Sequence, residues 1–238
     1  MHATRTVLFG LPYAGGWAAG LYGKWAARLP RIIEVVPLEL AGHGRRMGEP
    51  FDESLESAVA DLLRRVREVA RSQPYALFGH SMGGTLAYEI VKALEQGGLP
   101  PPKALFVSGC QPPHAPSRNK GLHLLSDEIL LREICRLGGT PKEFLDAPEL
   151  VKTFLPILRS DCRLLERYRF REPVHVMKTG LVVLHGDRDP LAGKPGIFEW
   201  QRYTRSGLRV HEFAGDHFFV NKHADMICRL VADTLERL

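Results

Sequence analysis

The sequence has no apolar run long enough to cross a membrane and no secretory leader of the usual kind. A transmembrane helix needs about 20 consecutive, mostly apolar residues, and the apolar stretches of this 238-residue chain are shorter and broken by charges. Residues 1–9 lack the longer apolar segment that a signal peptide places before its cleavage site. We therefore expect a cytoplasmic protein with no membrane partner.

Cysteine is scarce, and its few positions are far apart along the chain. They form neither a C-x-x-C pair nor the rhythm of a metal-binding cluster, which favours free thiols in a reducing compartment. The four are Cys110, Cys135, Cys162 and Cys228. The sequence gives no support for a disulfide framework or a metal centre, and we expect no cofactor.

Positive charge exceeds negative charge, but it is not gathered into one segment. The formal net charge is +5, with 32 Lys and Arg residues against 27 Asp and Glu residues. Because the basic residues are spread along the chain, we expect no nucleic-acid partner. The densest group could dock an acidic protein or could be an ordinary solvated surface. It consists of Arg45, Arg46, Arg64, Arg65 and Arg67.

What the sequence does contain is a serine at an abrupt junction between a strand and a helix. An apolar run ends at Gly79, Ser81 follows, and apolar residues then recur at helical spacing until a Gly-Gly pair. Because Gly79 and Gly83 lack Cβ atoms, a strained turn can hold the serine hydroxyl above a sheet. The pattern is typical of a nucleophile elbow, in which the Met82 amide donates to an oxyanion.

Strand and helix patterns alternate along most of the chain. Such alternation predicts parallel strands with right-handed crossovers and functional loops at the carboxyl edge of one sheet. We expect a single α/β domain over residues 1–238. The predicted strands span 6–11, 32–38, 76–78, 104–108, 181–185 and 208–213. The predicted helices include 17–29, 53–71, one that follows Ser81, and 224–238.

The alternation breaks between the fourth and fifth predicted strands. Residues 122–169 carry no strand pattern and instead predict helices over 127–136 and 148–168. A helical insertion here, which we place at residues 112–170, is typical of a lid subdomain over the sheet edge. Its apolar face predicts either ordinary packing against the core or a cover for an acyl chain.

A serine nucleophile needs a general base, and the base needs a carboxylate to orient it. His217 follows the last predicted strand in a Gly-preceded loop, from which an imidazole can reach the elbow. Asp187 and Asp189 both follow the fifth predicted strand. We assign the acid to Asp189, because Pro190 restricts the backbone of the residue before it, and keep Asp187 as the alternative. Together these residues predict a hydrolase in which Ser81 attacks an acyl carbonyl.

A second oxyanion donor is expected in the Gly-rich turn after the first predicted strand, at residues 12–16. We choose the amide of Ala14, with Gly15 as the alternative. His43 also lies in a Gly-flanked loop, where a structural role or a place at the substrate edge is favoured over catalysis.

The motifs taken together resemble a type II thioesterase. They are PYAGG at 12–16, GHGRR at 42–46, GHSMGG at 79–84, LGGTP at 137–141, GDRDP at 186–190 and GDHFF at 215–219. The resemblance spans nearly the whole chain and implies an α/β-hydrolase fold, with a mostly parallel sheet, flanking helices and a helical lid. It implies Ser81 as nucleophile, Asp189 as acid and His217 as base, with the Ala14 and Met82 amides as the oxyanion hole.

The resemblance also implies a function and a partner. Type II thioesterases are stand-alone enzymes of nonribosomal peptide and polyketide synthesis. They hydrolyse aberrant acyl groups from the phosphopantetheine arm of an acyl or peptidyl carrier protein. The implied protein is a monomer that docks transiently on that carrier and has no cofactor of its own. One departure is Ala41, which stands where family members usually place Pro before the Gly-x-Gly-Arg loop.

Other functions stay open on the sequence alone. A medium-chain fatty acyl thioesterase or a general carboxylesterase would use the same serine chemistry. A non-catalytic binding protein of the same fold would have no need for the serine, the carboxylate and the histidine together. A metal hydrolase is more remote, because its candidate ligands lack metal-site spacing and the elbow would go unexplained. Those candidates are Asp187, Asp189, His211 and His217.

Overall fold

A six-stranded parallel sheet forms the centre of the protein. The computed structural model describes residues 5–115, 121–138 and 146–238. The strand order is β2-β1-β3-β4-β5-β6, and every neighbouring pair is parallel. The strands are β1 (Thr6–Leu11), β2 (Ile33–Pro37), β3 (Tyr75–His80), β4 (Ala104–Ser108), β5 (Gly180–Gly186) and β6 (Leu208–Phe213). Their carboxyl ends share one edge, where loops from several strands can meet.

Helices cover both faces of this sheet. They are α1 (Ala18–Tyr22), α2 (Leu55–Ala70), α3 (Met82–Gln96), α4 (Asp127–Arg136), α5 (Pro148–Arg167), α6 (Lys194–Ile197), α7 (Phe219–Lys222) and α8 (Ala224–Glu236). Successive strand side chains point to opposite faces, so Leu77 packs in the cluster with α2 and α3, while Phe78 packs with α1 and α8. Across the described ranges, no helix is long and apolar enough to cross a membrane.

The observed elements differ from the predicted ones mainly near α1. One helix was expected over residues 17–29, but α1 ends at Tyr22 and only a short 3₁₀ turn follows at Trp25–Ala27. The prediction was wrong because it gave too little weight to Gly20 and Gly23, which are poor helix formers. The predicted helix over 53–71 begins at Leu55, where a reciprocal Ser–Ser capping box fixes its first turn.

Helices α4 and α5 lie between β4 and β5 in the chain and form a small apolar cluster of their own around Leu130, Leu155 and Leu158. Ala14, in the loop after β1, packs against this cluster. The insertion therefore contacts the loop from which an oxyanion donor was expected. Parts of the predicted 112–170 lid, residues 116–120 and 139–145, lie outside the described residues, as do Gly139, Thr140 and Pro141 of the LGGTP motif. The lid role and the single-domain division stay predictions.

Candidate active site

Ser81 lies in a strained turn between β3 and α3. Its φ of 54° and ψ of −117° make it the one non-glycine residue in the described ranges with a positive φ. A Cβ atom on Gly79 would lie 2.0 Å from the carbonyl oxygen of Gly83, and one on Gly83 would lie 2.2 Å from that of Leu11. Backbone cannot yield at such distances, so only glycine allows this turn. The turn presents the Ser81 hydroxyl at the carboxyl edge of the sheet.

His217 and Asp189 form a hydrogen-bonded line that ends at Ser81. The Nε2 atom of His217 lies 2.9 Å from Ser81 Oγ, and its Nδ1 atom lies 2.9 Å from Asp189 Oδ2. The other Asp189 oxygen accepts the amide hydrogens of Leu191 at 2.8 Å and Ala192 at 3.1 Å. Both side chains of the His–Asp pair are almost fully buried. In this arrangement His217 Nε2 can accept the proton of the Ser81 hydroxyl while Asp189 holds the proton on Nδ1.

The charge state of Asp189 follows from this setting. Burial raises the pKa of the carboxyl group, but the hydrogen bond and charge of His217 and the amides of Leu191 and Ala192 outweigh it and lower the pKa overall. Asp189 is therefore ionised at neutral pH. The negative charge of this buried carboxylate favours the His217 tautomer that carries a proton on Nδ1, and it stabilises the imidazolium that forms when Nε2 takes a proton.

Asp187, the alternative acid, has a different partner. Its Oδ1 atom accepts the amide hydrogen of Gly215 at 2.7 Å, and this bond is the main reason that its pKa is lowered. Gly215 has a φ of 145°, a backbone conformation that favours glycine. Asp187 thus ties the turn after β5 to the loop that carries His217. Of the two carboxylates considered from the sequence, the one near the imidazole is Asp189.

His80, immediately before Ser81, has its ring tilted against the imidazole of His217. The two ring centroids are 5.2 Å apart, and His80 Nδ1 lies 2.9 Å from the hydroxyl of Ser108. Complete burial, reinforced by the nearby His217, lowers the pKa of His80 to about 3. His80 is therefore neutral at physiological pH and packs beside His217 without adding a positive charge.

Two backbone amides are available beside Ser81. Met82 is the first residue of α3, where amides have no partner within the helix, and Ala14 lies in the loop after β1. No hydrogen bond among the described residues uses either amide. The Gly15 amide, considered as an alternative, is instead donated to Asp161 Oδ2 at 2.7 Å. Ala14 and Met82 thus have the free N–H groups that an oxyanion hole requires.

A buried pair, Asp161 and His43, is bonded to the Ala14 loop through the amide of Gly15. Asp161 Oδ2 accepts the Gly15 amide hydrogen and also lies 3.0 Å from His43 Nε2. The other ring nitrogen of His43, Nδ1, lies 2.9 Å from the carbonyl oxygen of Ala41. The sequence favoured a structural role or a substrate-edge position for His43, and the residue is buried in this network. Asp161 was missed, although a carboxylate on the apolar face of α5 was a visible signal.

An apolar cavity of about 190 Å³ opens beside Ser81. Its wall combines the nucleophile, His217 and the loop of Ala14 with residues of the inserted helices. The residues from the insertion include Leu122, Ile134, Leu137, Cys162, Leu165, Glu166 and Tyr168. Part of the apolar face of the insertion therefore lines a space next to the nucleophile. In the described ranges, no group of three or more His, Cys, Asp or Glu side chains is arranged to hold a metal ion.

Comparison with known proteins places this site in a family. Residues 6–235 match the family described as thioesterase domain. Thioesterase PikA5 of Streptomyces venezuelae is 34% identical over 226 residues, covering 94% of this chain and 79% of that protein. The structure of ClbQ from the colibactin NRPS/PKS pathway has a TM-score of 0.92 and 39% identity, covering 98% of both chains. The structure of the type II thioesterase BorB from the borrelidin biosynthetic cluster has a TM-score of 0.87 and 35% identity, covering 98% of this chain and 94% of that chain. The chain therefore belongs to the thioesterase family, and within it to the type II thioesterases of the α/β-hydrolase fold.

Proposed function

We propose that the protein hydrolyses acyl thioesters on the phosphopantetheine arm of carrier proteins and so clears aberrant acyl groups from a nonribosomal peptide or polyketide synthase. The observation that carries this proposal is the hydrogen-bonded line from Ser81 through His217 to Asp189 beside an apolar cavity. The pathways in the names of ClbQ and BorB support the carrier-bound substrate. The reaction needs no cofactor of the protein's own, because the substrate brings the phosphopantetheine.

In the proposed mechanism, Ser81 Oγ attacks the thioester carbonyl while His217 Nε2 takes its proton. Asp189 stabilises the imidazolium that forms. The Ala14 and Met82 amides hold the oxyanion of the tetrahedral intermediate, which collapses as the thiol leaves with a proton from His217. Water then repeats the sequence on the acyl-enzyme, and the carboxylic acid is released. A single oxyanion donor is typically worth about 10²- to 10³-fold in kcat.

A medium-chain fatty acyl thioester is an alternative substrate for the same serine chemistry. The medium-chain fatty acid synthase thioesterase of Rattus norvegicus is also a relative, at 28% identity. We therefore keep fatty acyl thioesters as test substrates beside acetyl and propionyl thioesters.

Two of the five arginines considered as a docking site for the carrier are engaged in ion pairs. Arg46 is not free, because its guanidinium group binds Glu49 and Asp61 and its side chain is only 12% exposed. Arg64 also pairs with Asp61. The remaining basic residues of that group are exposed and are our candidates for contact with an acidic carrier. They are Arg45, Arg65 and Arg67.

The decisive experiment compares wild-type protein with Ser81→Ala on acetyl groups loaded onto one carrier protein and on acetyl-pantetheine. We expect Ser81→Ala to lose essentially all hydrolysis of both, and a fluorophosphonate probe to label only the wild type. Retention of most activity by Ser81→Ala would overturn the mechanism. An active wild type that prefers p-nitrophenyl esters to every thioester would instead favour a general carboxylesterase.

A further inference from the structure

One acidic residue lines the largely apolar active-site cavity. It is Glu166, near the end of α5, and the same wall contains Ser81 and His217. Among the described residues that line the cavity there is no other Asp or Glu and no Lys or Arg. Within the described part of the cavity wall, an acyl group attached to Ser81 therefore meets one source of negative charge.

Glu166 is held in place from outside the cavity. Its Oε2 atom accepts the amide hydrogen of Gly121 at 2.8 Å and lies 2.6 Å from His123 Nδ1, while its Oε1 atom accepts the amide hydrogen of His123 at a longer 3.3 Å. The side chain is 9% exposed. A carboxylate has about four acceptor sites, so these bonds fix its position and leave capacity on Oε1 for a donor inside the cavity.

Two neighbouring polar groups on the wall are engaged, and a third, the Gln111 side-chain oxygen, is a neutral acceptor without a partner among the described residues. Tyr168 donates its hydroxyl hydrogen to Glu89 Oε1 at 2.6 Å, and the Gln111 amide nitrogen donates to the carbonyl oxygen of Gly193 at 3.1 Å. Burial of an ammonium group in an apolar space is strongly unfavourable unless a carboxylate pairs with it. A second carboxylate in the same space would be repelled by the first.

We propose that Glu166 is a specificity residue that favours acyl groups with a cationic substituent, such as the α-ammonium of an aminoacyl thioester, and disfavours acyl groups that carry a carboxylate. The proposal rests on the proposed thioesterase function and adds a preference to it. Glu166 acts by a charge-assisted hydrogen bond to the bound substituent and takes no part in bond cleavage.

Three pantetheine thioesters with one carbon skeleton test the preference: L-alanyl, isobutyryl and methylmalonyl. They differ only in whether the second carbon bears an ammonium, a methyl or a carboxylate group. Each kcat/KM is divided by the rate of hydroxide-catalysed hydrolysis of the same thioester, which removes differences in intrinsic reactivity. We expect the corrected values of the wild type to fall in the order alanyl, isobutyryl, methylmalonyl.

The variant Glu166→Gln retains the shape of the side chain and removes its charge. We expect the corrected alanyl-to-isobutyryl ratio to fall by about 10- to 100-fold, the range of one charge-assisted hydrogen bond, and the methylmalonyl value to rise relative to isobutyryl. The matched control is Glu128→Gln on α4, where the side chain is 81% exposed and pairs with Arg132. This control should leave all three ratios unchanged.

Equal losses on all three substrates in Glu166→Gln would show a merely structural role and overturn the proposal, as would unchanged ratios. Should that variant fail to fold, the wild-type series decides alone: a corrected alanyl value no greater than the isobutyryl value refutes the preference. The proposed function is judged separately, by the loss of isobutyryl hydrolysis in Ser81→Ala.

Discussion

Replacement of Asp161 by Ala should destabilise the protein far more than the loss of an ordinary ion pair. The Asp161 side chain is fully buried, and its Oδ2 atom serves both the Gly15 amide and His43 Nε2. Asp161→Ala leaves these two donors buried without a partner, and each costs about 1–3 kcal/mol. Since breaking a buried pair costs about 3–5 kcal/mol in measured cases, we expect a loss of that size in the free energy of unfolding.

The assay is urea unfolding followed by tryptophan fluorescence, because Trp25 and Trp200 are fully buried. The matched control is Asp225→Ala, whose carboxylate is 68% exposed and pairs with Arg28. A surface pair of this kind contributes about 0–1 kcal/mol. A loss for Asp161→Ala no larger than the loss for Asp225→Ala would refute the reasoning about the buried network.

The same network gives the prediction a pH dependence. Burial lowers the pKa of His43, but the hydrogen bond and charge of Asp161 and the carbonyl group of Ala41 outweigh it, so the pKa is raised. A raised folded-state pKa stabilises the protein fully below the unfolded pKa of about 6.5, and this stabilisation is lost as pH rises through the folded pKa. The difference between wild type and Asp161→Ala should therefore be larger at about pH 6 than at about pH 9. An equal difference in the free energy of unfolding at the two pH values would show that Asp161 does not raise the pKa of His43.

Three further outcomes are expected. Asp189→Asn should lower kcat by about 10⁴-fold by favouring the wrong imidazole tautomer, while Asp187→Asn should keep most activity, and equal losses in steady-state assays would contradict the choice of acid. Gly83→Ala should lower both the urea midpoint and activity, because its Cβ would lie 2.2 Å from a backbone carbonyl oxygen, whereas Gly48→Ala, with nothing within 4 Å, should change neither. Arg45→Glu should raise KM for a carrier-bound acyl group more than for acyl-pantetheine, most clearly at low salt; an equal change on both substrates would exclude docking through that residue.

The strands and the line of three polar residues were accessible from the sequence because their signals are local. The bounds of β1, β4 and β6 match the prediction, since each is a short buried or half-buried run closed by turn residues. Ser81 lies in an elbow pattern, and the other two members follow the ends of strands. Because carboxyl ends of parallel strands share one edge, the fold class alone places their loops near one another.

What the sequence could not supply is the pairing of side chains that are distant along the chain and carry no motif. His43 and Asp161 are 118 positions apart, and His123 and Glu166 are 43 positions apart. Each acid lies on α5, and its partner depends on how that helix packs over the sheet. Periodicity predicts that α5 has an apolar face, but it does not say which loop the face covers.

The position of Asp161 has a mechanical consequence for α5. Pro156 interrupts the hydrogen bonding of this helix, because proline has no amide hydrogen to donate. Beyond that point, Asp161 is joined to the loops of Gly15 and His43, and Glu166 is joined to Gly121. The side-chain hydrogen bonds that join these loops to α5 therefore come from residues beyond the proline, whereas Phe154 and Leu155 before it pack in the apolar cluster with Ala14 and Leu130. Because apolar packing is non-directional and hydrogen bonds are not, any opening that admits a carrier arm is expected to shift the half of α5 before Pro156 more readily than the half that lines the acyl cavity.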